Sequence, residues 1–360
     1  MSPFAARRDR VRSALAEHGV EALLVSSLSS TRYLTGFTGS HGAVLVMPEA
    51  ADDRLATDFR YQTQAADECP DVEAHIVRAA VVGLTNLAAE SGVASLGIEA
   101  EHLSVALHTD VAASVTSVDL VPTRGVVEAL RRVKDDAELA ALGEACRLSD
   151  EALALLLPEV APGRTERELA RRLEWLMLEV GADAVSFESI VAGGPHSAVP
   201  HHTPTDRPLE RGDLLKIDFG AMHAGYHADE TRTFVVGAEP ADWQRDLHAT
   251  VAEAQRRGVA ALAVGAHAGD VDHASRGFIA DAGHAEHFGH GLGHGVGLDI
   301  HEAPFLSATA TGTLEDRTPV TVEPGIYLPG RGGVRIEDTL VVRSGGPVSL
   351  TTTTRELLVL

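Results

Sequence analysis

Hydrophobic and polar positions in the first part of the chain alternate between two periods. Residues 4–18 have helical spacing, with Val11 and Leu15 on one face, and the pattern stops at Gly19, a residue suited to the left-handed conformation that closes a helix. Short apolar runs at residues 22–25 and 43–47 read as strands. Residues 84–89 return to helical spacing, 96–98 to a strand and 103–113 to a helix. Strand and helix alternate, so a mixed α/β domain is expected.

A different pattern begins near residue 122. The charged helical stretch Glu128-Ala-Leu-Arg-Arg-Val-Lys-Asp-Asp136 reads as the joint between two domains, drawn at 1–128 and 129–360. Two helices are expected next, over 136–157 and 165–180. The second opens with Thr165-Glu-Arg-Glu168, whose spacing matches a capping box. From Ile190 onward strand-like runs and glycine-rich turns dominate, with helices near 243–263 and 271–281. The expected class is α+β.

Composition narrows the function. A chain of 360 residues, 44% hydrophobic, can bury a large core and favours two domains. Its formal net charge of -22 repels phosphate backbones and anionic headgroups, so neither nucleic acid nor a membrane surface is an expected partner. Cys69 and Cys146 lie far apart with no metal-type spacing, which fits a reducing compartment and small core residues. No apolar run suits secretion or a membrane span, and a cytoplasmic protein is expected.

Histidine is unevenly placed, thirteen of the eighteen lying beyond residue 190, and the acidic residues there pair by symmetry. Leu214-Leu-Lys-Ile-Asp218-Phe-Gly and Tyr226-His-Ala-Asp229-Glu-Thr-Arg-Thr-Phe flank a turn at 222–225. A hairpin centred on it sets Asp218 opposite Asp229. Directly opposed residues have Cβ atoms about 5 Å apart, so two carboxylates would repel unless a cation sits between them. Val320-Thr-Val-Glu323-Pro-Gly-Ile-Tyr and Gly333-Val-Arg-Ile-Glu337-Asp-Thr repeat the arrangement around Gly330, pairing Glu323 with Glu337. Between the hairpins, Phe288-Gly-His290-Gly-Leu-Gly-His294-Gly-Val-Gly-Leu-Asp-Ile-His301-Glu alternates glycine with histidine, so backbone can approach a ligand and imidazoles can enter a cleft.

A single strand aspartate is ordinarily a surface or turn group, and a glycine-histidine run alone reads as a flexible loop. Two facing acidic pairs with a histidine loop are another matter, because one fold holds them together only with a cation. Four carboxylates and an imidazole suit two hard divalent ions, manganese first and cobalt or zinc as alternatives, and suit a structural zinc poorly. Walker A, G-x-G-x-x-G, G-x-S-x-G and H-E-x-x-H patterns are all missing, and nucleotide, serine-hydrolase and zincin chemistries lose their support.

With these motifs in hand, the sequence resembles the family of aminopeptidase P, prolidase, methionine aminopeptidase and creatinase. The resemblance implies a creatinase-like N-terminal α/β domain followed by a pita-bread, methionine aminopeptidase-like catalytic domain. It implies metal ligands at Asp218, Asp229, His294, Glu323 and Glu337. It further implies a substrate-side histidine at His201, a pair lining the proline pocket and steadying the tetrahedral intermediate at His290 and His301, and at Arg335 an arginine that either supports the ligands or contacts the substrate. His202, His227 and Glu230 beside these motifs read as outer or surface groups. Arg32-Tyr-Leu-Thr-Gly-Phe-Thr-Gly39 and Asp58-Phe-Arg-Tyr61 resemble the accessory domain of the proline-cleaving branch, which methionine aminopeptidases lack. Thr31 and His196 depart from the family pattern at positions where relatives often carry Asn.

The implied activity is hydrolysis of the Xaa-Pro bond by a metal-bridging hydroxide, with Glu323 handling the proton. An Xaa-Pro aminopeptidase is the first reading, an Xaa-Pro dipeptidase the alternative. A non-catalytic peptide-binding homologue or a creatinase-type amidinohydrolase stands third. Peptides with proline second are the implied substrates, and a homodimer the implied assembly.

Overall fold

The computed structural model describes residues 2–360 and divides into two compact units, Met1–Arg131 and Arg132–Leu360. The junction expected at residue 128 lies inside the helix Val126–Arg131.

The first unit is built on a six-stranded sheet whose spatial order is Glu73–Ile76, Arg54–Thr57, Ala43–Val46, Ala22–Val25, Ser95–Glu99, Asp119–Thr123. Ala22–Val25 and Ala43–Val46 are buried at every position. Continuous apolar runs of this kind belong to strands covered on both faces. The sheet is mixed: Ala22–Val25 runs antiparallel to Ala43–Val46 and parallel to Ser95–Glu99. The first helix, Pro3–Ala14, passes through a 3-10 turn and stops at Gly19, φ 68°. Helix Leu28–Thr35 escapes the hydrophobic pattern because its buried face includes Ser30, Thr31 and Thr35.

The second unit has two halves of similar build. Helices Asp136–Leu156 and Glu166–Glu179 share a core with the antiparallel strands Ile190–Gly193, Leu214–Phe219 and Glu230–Val235, through Leu153, Leu173, Ile217 and Phe234. Helices Asp242–Ala261 and Ala268–Ile279 share another with Pro319–Val322, Gly325–Leu328, Gly332–Arg335 and Asp338–Val341, through Val251, Val271, Val320 and Val334. Every ladder between named strands of this unit is antiparallel. Both bonds of the expected capping box form, Glu168 N–H to Thr165 Oγ1 at 3.2 Å and Thr165 N–H to Glu168 Oε2 at 3.0 Å.

One expected register is corrected. Asp218 pairs with Thr231, not Asp229. The hairpin closes on Ala224 and Gly225, between the paired His223 and Tyr226, and both residues have positive φ, 49° and 81°. A two-residue turn of that type matches the twist of its strands. Its centre lies one residue later than expected, so the pairing shifts by two, and a two-residue shift keeps every side chain on its original face.

The other hairpin keeps its expected register. Val322 pairs with Asp338 and Gly325 with Arg335, a single frame that sets Glu323 against Glu337. At that point the strands part: Glu323 N–H donates to Leu292 O at 2.8 Å and Glu337 N–H to Thr231 O at 3.1 Å. The bridge between Thr231 and Glu337 ties the two halves together where their strands open.

Cys69 and Cys146 are buried free thiols, as expected of small core residues. Among the described residues no helix is long and apolar enough to cross a membrane.

Candidate metal centre and active site

The opening between the halves is a cavity of ≈ 410 Å³. Asp218, Asp229, His294, Glu323 and Glu337 all line it, together with Arg335, His201 and His301. Eight of the nine residues singled out in the sequence therefore meet in one place. The ninth, His290, lines an adjoining recess with His201, His294, His301 and Glu323.

Several features of this cluster fit cations. His294 Nε2 stands 3.5 Å from Asp229 Oδ2 and 3.4 Å from Glu323 Oε1, and ligand atoms of Asp229, His294 and Glu337 lie within 4.8 Å of one another. His294 Nδ1 lies 3.0 Å from the carbonyl of Gly295, an acceptor, so Nδ1 carries the proton and Nε2 turns its lone pair toward the carboxylates. Asp218 Oδ1 is buried with no hydrogen-bond partner. Burial, then the charges of Asp218 and Glu323, drives the Asp229 carboxyl well above its ordinary value. Burial, followed by Asp229 and Glu323, does the same to Glu337, and burial raises Glu323. Acids packed this way repel until positive charge arrives.

The surrounding residues hold the acids in place. Arg335 is fully buried, its guanidinium donating to Asp218 Oδ2, to Tyr327 Oη at 2.9 Å and, through Nε, to Thr231 Oγ1 at 2.9 Å. Thr231 in turn donates to Glu337 Oε2 at 2.6 Å. Thr321 accepts from His294 N–H at 3.0 Å and donates to Glu323 Oε1 at 3.3 Å. Lys216 Nζ donates to the carbonyls of Val199 and Pro200 at 2.6 and 3.0 Å, fastening the backbone just before His201.

The histidines separate by environment. His201 and His301 are exposed at the cavity. The His301 ring stands edge-on to His294, centroids 4.4 Å apart. His290 has both nitrogens engaged, Nδ1 donating to Gly291 O at 2.8 Å and Nε2 accepting from Tyr327 Oη at 2.9 Å. Burial, with the Arg335 charge next, pulls its pKa down to about 4, so the ring is neutral. His202, read from sequence as an outer group, also lines the cavity. Glu230 is buried away from the cavity, where Thr353 donates to it at 2.7 Å and burial lifts its carboxyl to about 8.

Gly293 and Gly295 of the histidine run serve close strand packing. A Cβ on Gly293 would fall 2.0 Å from Thr321 O, and one on Gly295 2.4 Å from Ala303 O. Their smallness lets neighbouring strands close around His294. Thr231, Tyr327 and Lys216 are not marked by the sequence pattern, because a threonine, tyrosine or lysine inside a strand carries no sign of a partner on another element.

This geometry defines a metallopeptidase. Residues 140–344 match the model of metallopeptidase family M24, and residues 7–133 that of the creatinase/prolidase N-terminal domain. The chain belongs to metallopeptidase family M24, with a creatinase-like N-terminal domain ahead of a pita-bread catalytic domain. It is 38% identical to the solved Xaa-Pro dipeptidase from Bacillus anthracis, with a TM-score of 0.95 over 99% of this chain and 100% of that one. The X-Pro aminopeptidase structure from Thermotoga maritima MSB8 shares 34% identity, TM-score 0.90, over 98% and 99% of the two chains. The Xaa-Pro dipeptidase of Pyrococcus horikoshii is 33% identical over 342 residues, 95% of each chain.

Proposed function

We propose that this chain is an Xaa-Pro dipeptidase, releasing the residue that precedes proline. The carrying observation is the convergence of Asp218, Asp229, His294, Glu323 and Glu337 on one cavity in a member of family M24. Sequence motifs alone put an aminopeptidase first. The dipeptidase relatives from Bacillus anthracis and Pyrococcus horikoshii, matched over nearly their whole lengths, reverse that order. The Thermotoga maritima relative supports the aminopeptidase as a second reading.

Divalent cations held by the five ligands supply Lewis acidity and a water of lowered pKa when bound. The donor set favours manganese. Glu323, its side chain 17% exposed, is placed to take the proton of the attacking water and pass it toward the proline nitrogen. His301 donates to the developing oxyanion from the cavity wall. His290, committed to Gly291 and Tyr327, orients Tyr327 and through it Arg335. Phe187, Ile190 and Ile300 give the proline ring an apolar wall. Proline offers no N–H, and none of these groups asks for one. A homodimer completes the reading by resemblance.

Parallel assays of the manganese-loaded protein on Xaa-Pro and Xaa-Pro-Xaa test it. Preferential cleavage of the dipeptide is expected. Preference for the longer peptide transfers the assignment to the aminopeptidase, and cleavage of neither removes both.

A further inference from the structure

Glu166, the first residue of helix Glu166–Glu179, is wholly buried. Its two oxygens accept five hydrogen bonds. Oε1 takes Gly193 N–H at 2.8 Å and His196 Nδ1 at 2.9 Å. Oε2 takes Thr205 N–H at 3.0 Å, the Thr205 hydroxyl at 2.7 Å and His202 Nε2 at 2.9 Å. Burial alone would raise this carboxyl, but the bonds from Gly193, Thr205 and His202 outweigh it and hold it at about 2. An ionised carboxylate has no proton to give, so both facing imidazole nitrogens must carry one. His202 is thereby held as the Nε2–H form. Its Nδ1 has no hydrogen bond among the described residues, and the ring lines the same cavity as Asp218 and His294.

No neutral residue replaces this carboxylate. Backbone N–H groups, which cannot reverse direction, face both oxygens, so the amide of a glutamine would point its NH2 at one of them. More than a loop clasp is involved, since one of the five donors belongs to a cavity-lining side chain.

We propose that Glu166 is a positioning residue of this active site, fixing the tautomer and ring orientation of His202 so that Nδ1 is presented to the bound peptide. The proposal rests on reading the cavity as an Xaa-Pro peptidase site. Within it, His202 is a substrate contact alongside His201, and the segment bearing both is fastened from two sides. Lys216 grips the Val199 and Pro200 carbonyls before them and Glu166 grips Thr205 after them.

The experiment compares E166Q, H202Q and their double variant with the metal-loaded wild type, reading melting temperature, metal content, kcat and KM on an Xaa-Pro dipeptide. Glutamine at 202 keeps a donor that reaches Glu166 but deletes the free ring nitrogen. H202Q is expected to retain the wild-type melting temperature and metal content while kcat/KM falls about tenfold or more, the scale typical of groups that orient a site. E166Q should lose activity to a similar degree, and the double variant no more than the worse single one, because both act through one ring. H202Q activity within about twofold of wild type, or losses that simply multiply in the double variant, would reduce Glu166 to a loop anchor and overturn the proposal. The H202Q comparison stands even where E166Q fails to fold, since H202Q leaves Glu166 in place. A wild type that cleaves no Xaa-Pro substrate overturns the proposed function together with the proposal, a result distinct from an active wild type matched by H202Q.

Discussion

Thr231 stands directly across its strand pair from Asp218 and donates its hydroxyl hydrogen to Glu337 Oε2 at 2.6 Å. Thr231 Oγ1 also accepts from Arg335 Nε at 2.9 Å, and Arg335 in turn donates to Asp218, so one small side chain links acids from both halves of the catalytic unit. Replacement by valine keeps the shape and removes the hydroxyl. Arg335 Nε is then buried without an acceptor and Glu337 loses a donor. T231V is expected to lower stability by about 1–3 kcal/mol and to weaken metal binding about 10–100-fold. Metal titration and thermal melts would check this, and wild-type affinity in the variant would refute the role given to Thr231.

Asp229 and Glu337 are both driven well up, first by burial and then by neighbouring carboxylates, Asp218 and Glu323 for Asp229 and Asp229 and Glu323 for Glu337. D229A and E337A are each expected to abolish metal-dependent hydrolysis and to reduce bound metal in elemental analysis. Full turnover in either variant contradicts the ligand assignment.

Stability of the metal-stripped protein should depend on pH with a definite sign. Asp229, Glu323 and Glu337 have folded pKa values above their unfolded ones, so the fold binds protons that the unfolded chain has released. Their contribution is complete below the ordinary carboxylate range, about pH 4, and disappears as pH rises through the elevated folded values. Each group affected steepens the decline by up to about 1.4 kcal/mol per pH unit. Bound cations remove the cause, so the gap in melting temperature between loaded and stripped protein should widen from pH 4 toward pH 8. A gap that is flat or narrows over that range contradicts the cluster's electrostatics.

G293A should be damaging and G289A nearly silent. At Gly293 the added Cβ meets Thr321 O at 2.0 Å, main chain that cannot swing aside, whereas nothing lies within 4 Å at Gly289. Overpacking of this kind costs about 1–3 kcal/mol or more. Because His294 is the next residue, G293A should also lose metal. Equal melting temperatures for the two variants would show that close strand contact is not what this glycine provides.

Local pattern carried much of this architecture. Gly19 marks the end of the first helix, Thr165 and Glu168 close their capping box, and Gly330 centres the hairpin that opposes Glu323 to Glu337. Each depends on contacts within a few residues or on one turn. Asp218 and Asp229 show the limit of such reasoning, since the positive φ values of Ala224 and Gly225 moved the turn by one position. Their shared face survived only because the register shifted by two.

By itself the sequence determined which side chains are available for chemistry and on which face of each hairpin they stand, because strand periodicity and turn residues act over short range. Tertiary structure alone decided that the two hairpins open against each other at the Thr231–Glu337 bridge. It alone decided that Tyr327 bonds the His290 ring, and that Glu166 reaches thirty-six residues along the chain to hold His202. Those outcomes follow from satisfying buried polar groups with partners from distant segments, a requirement that periodicity does not record.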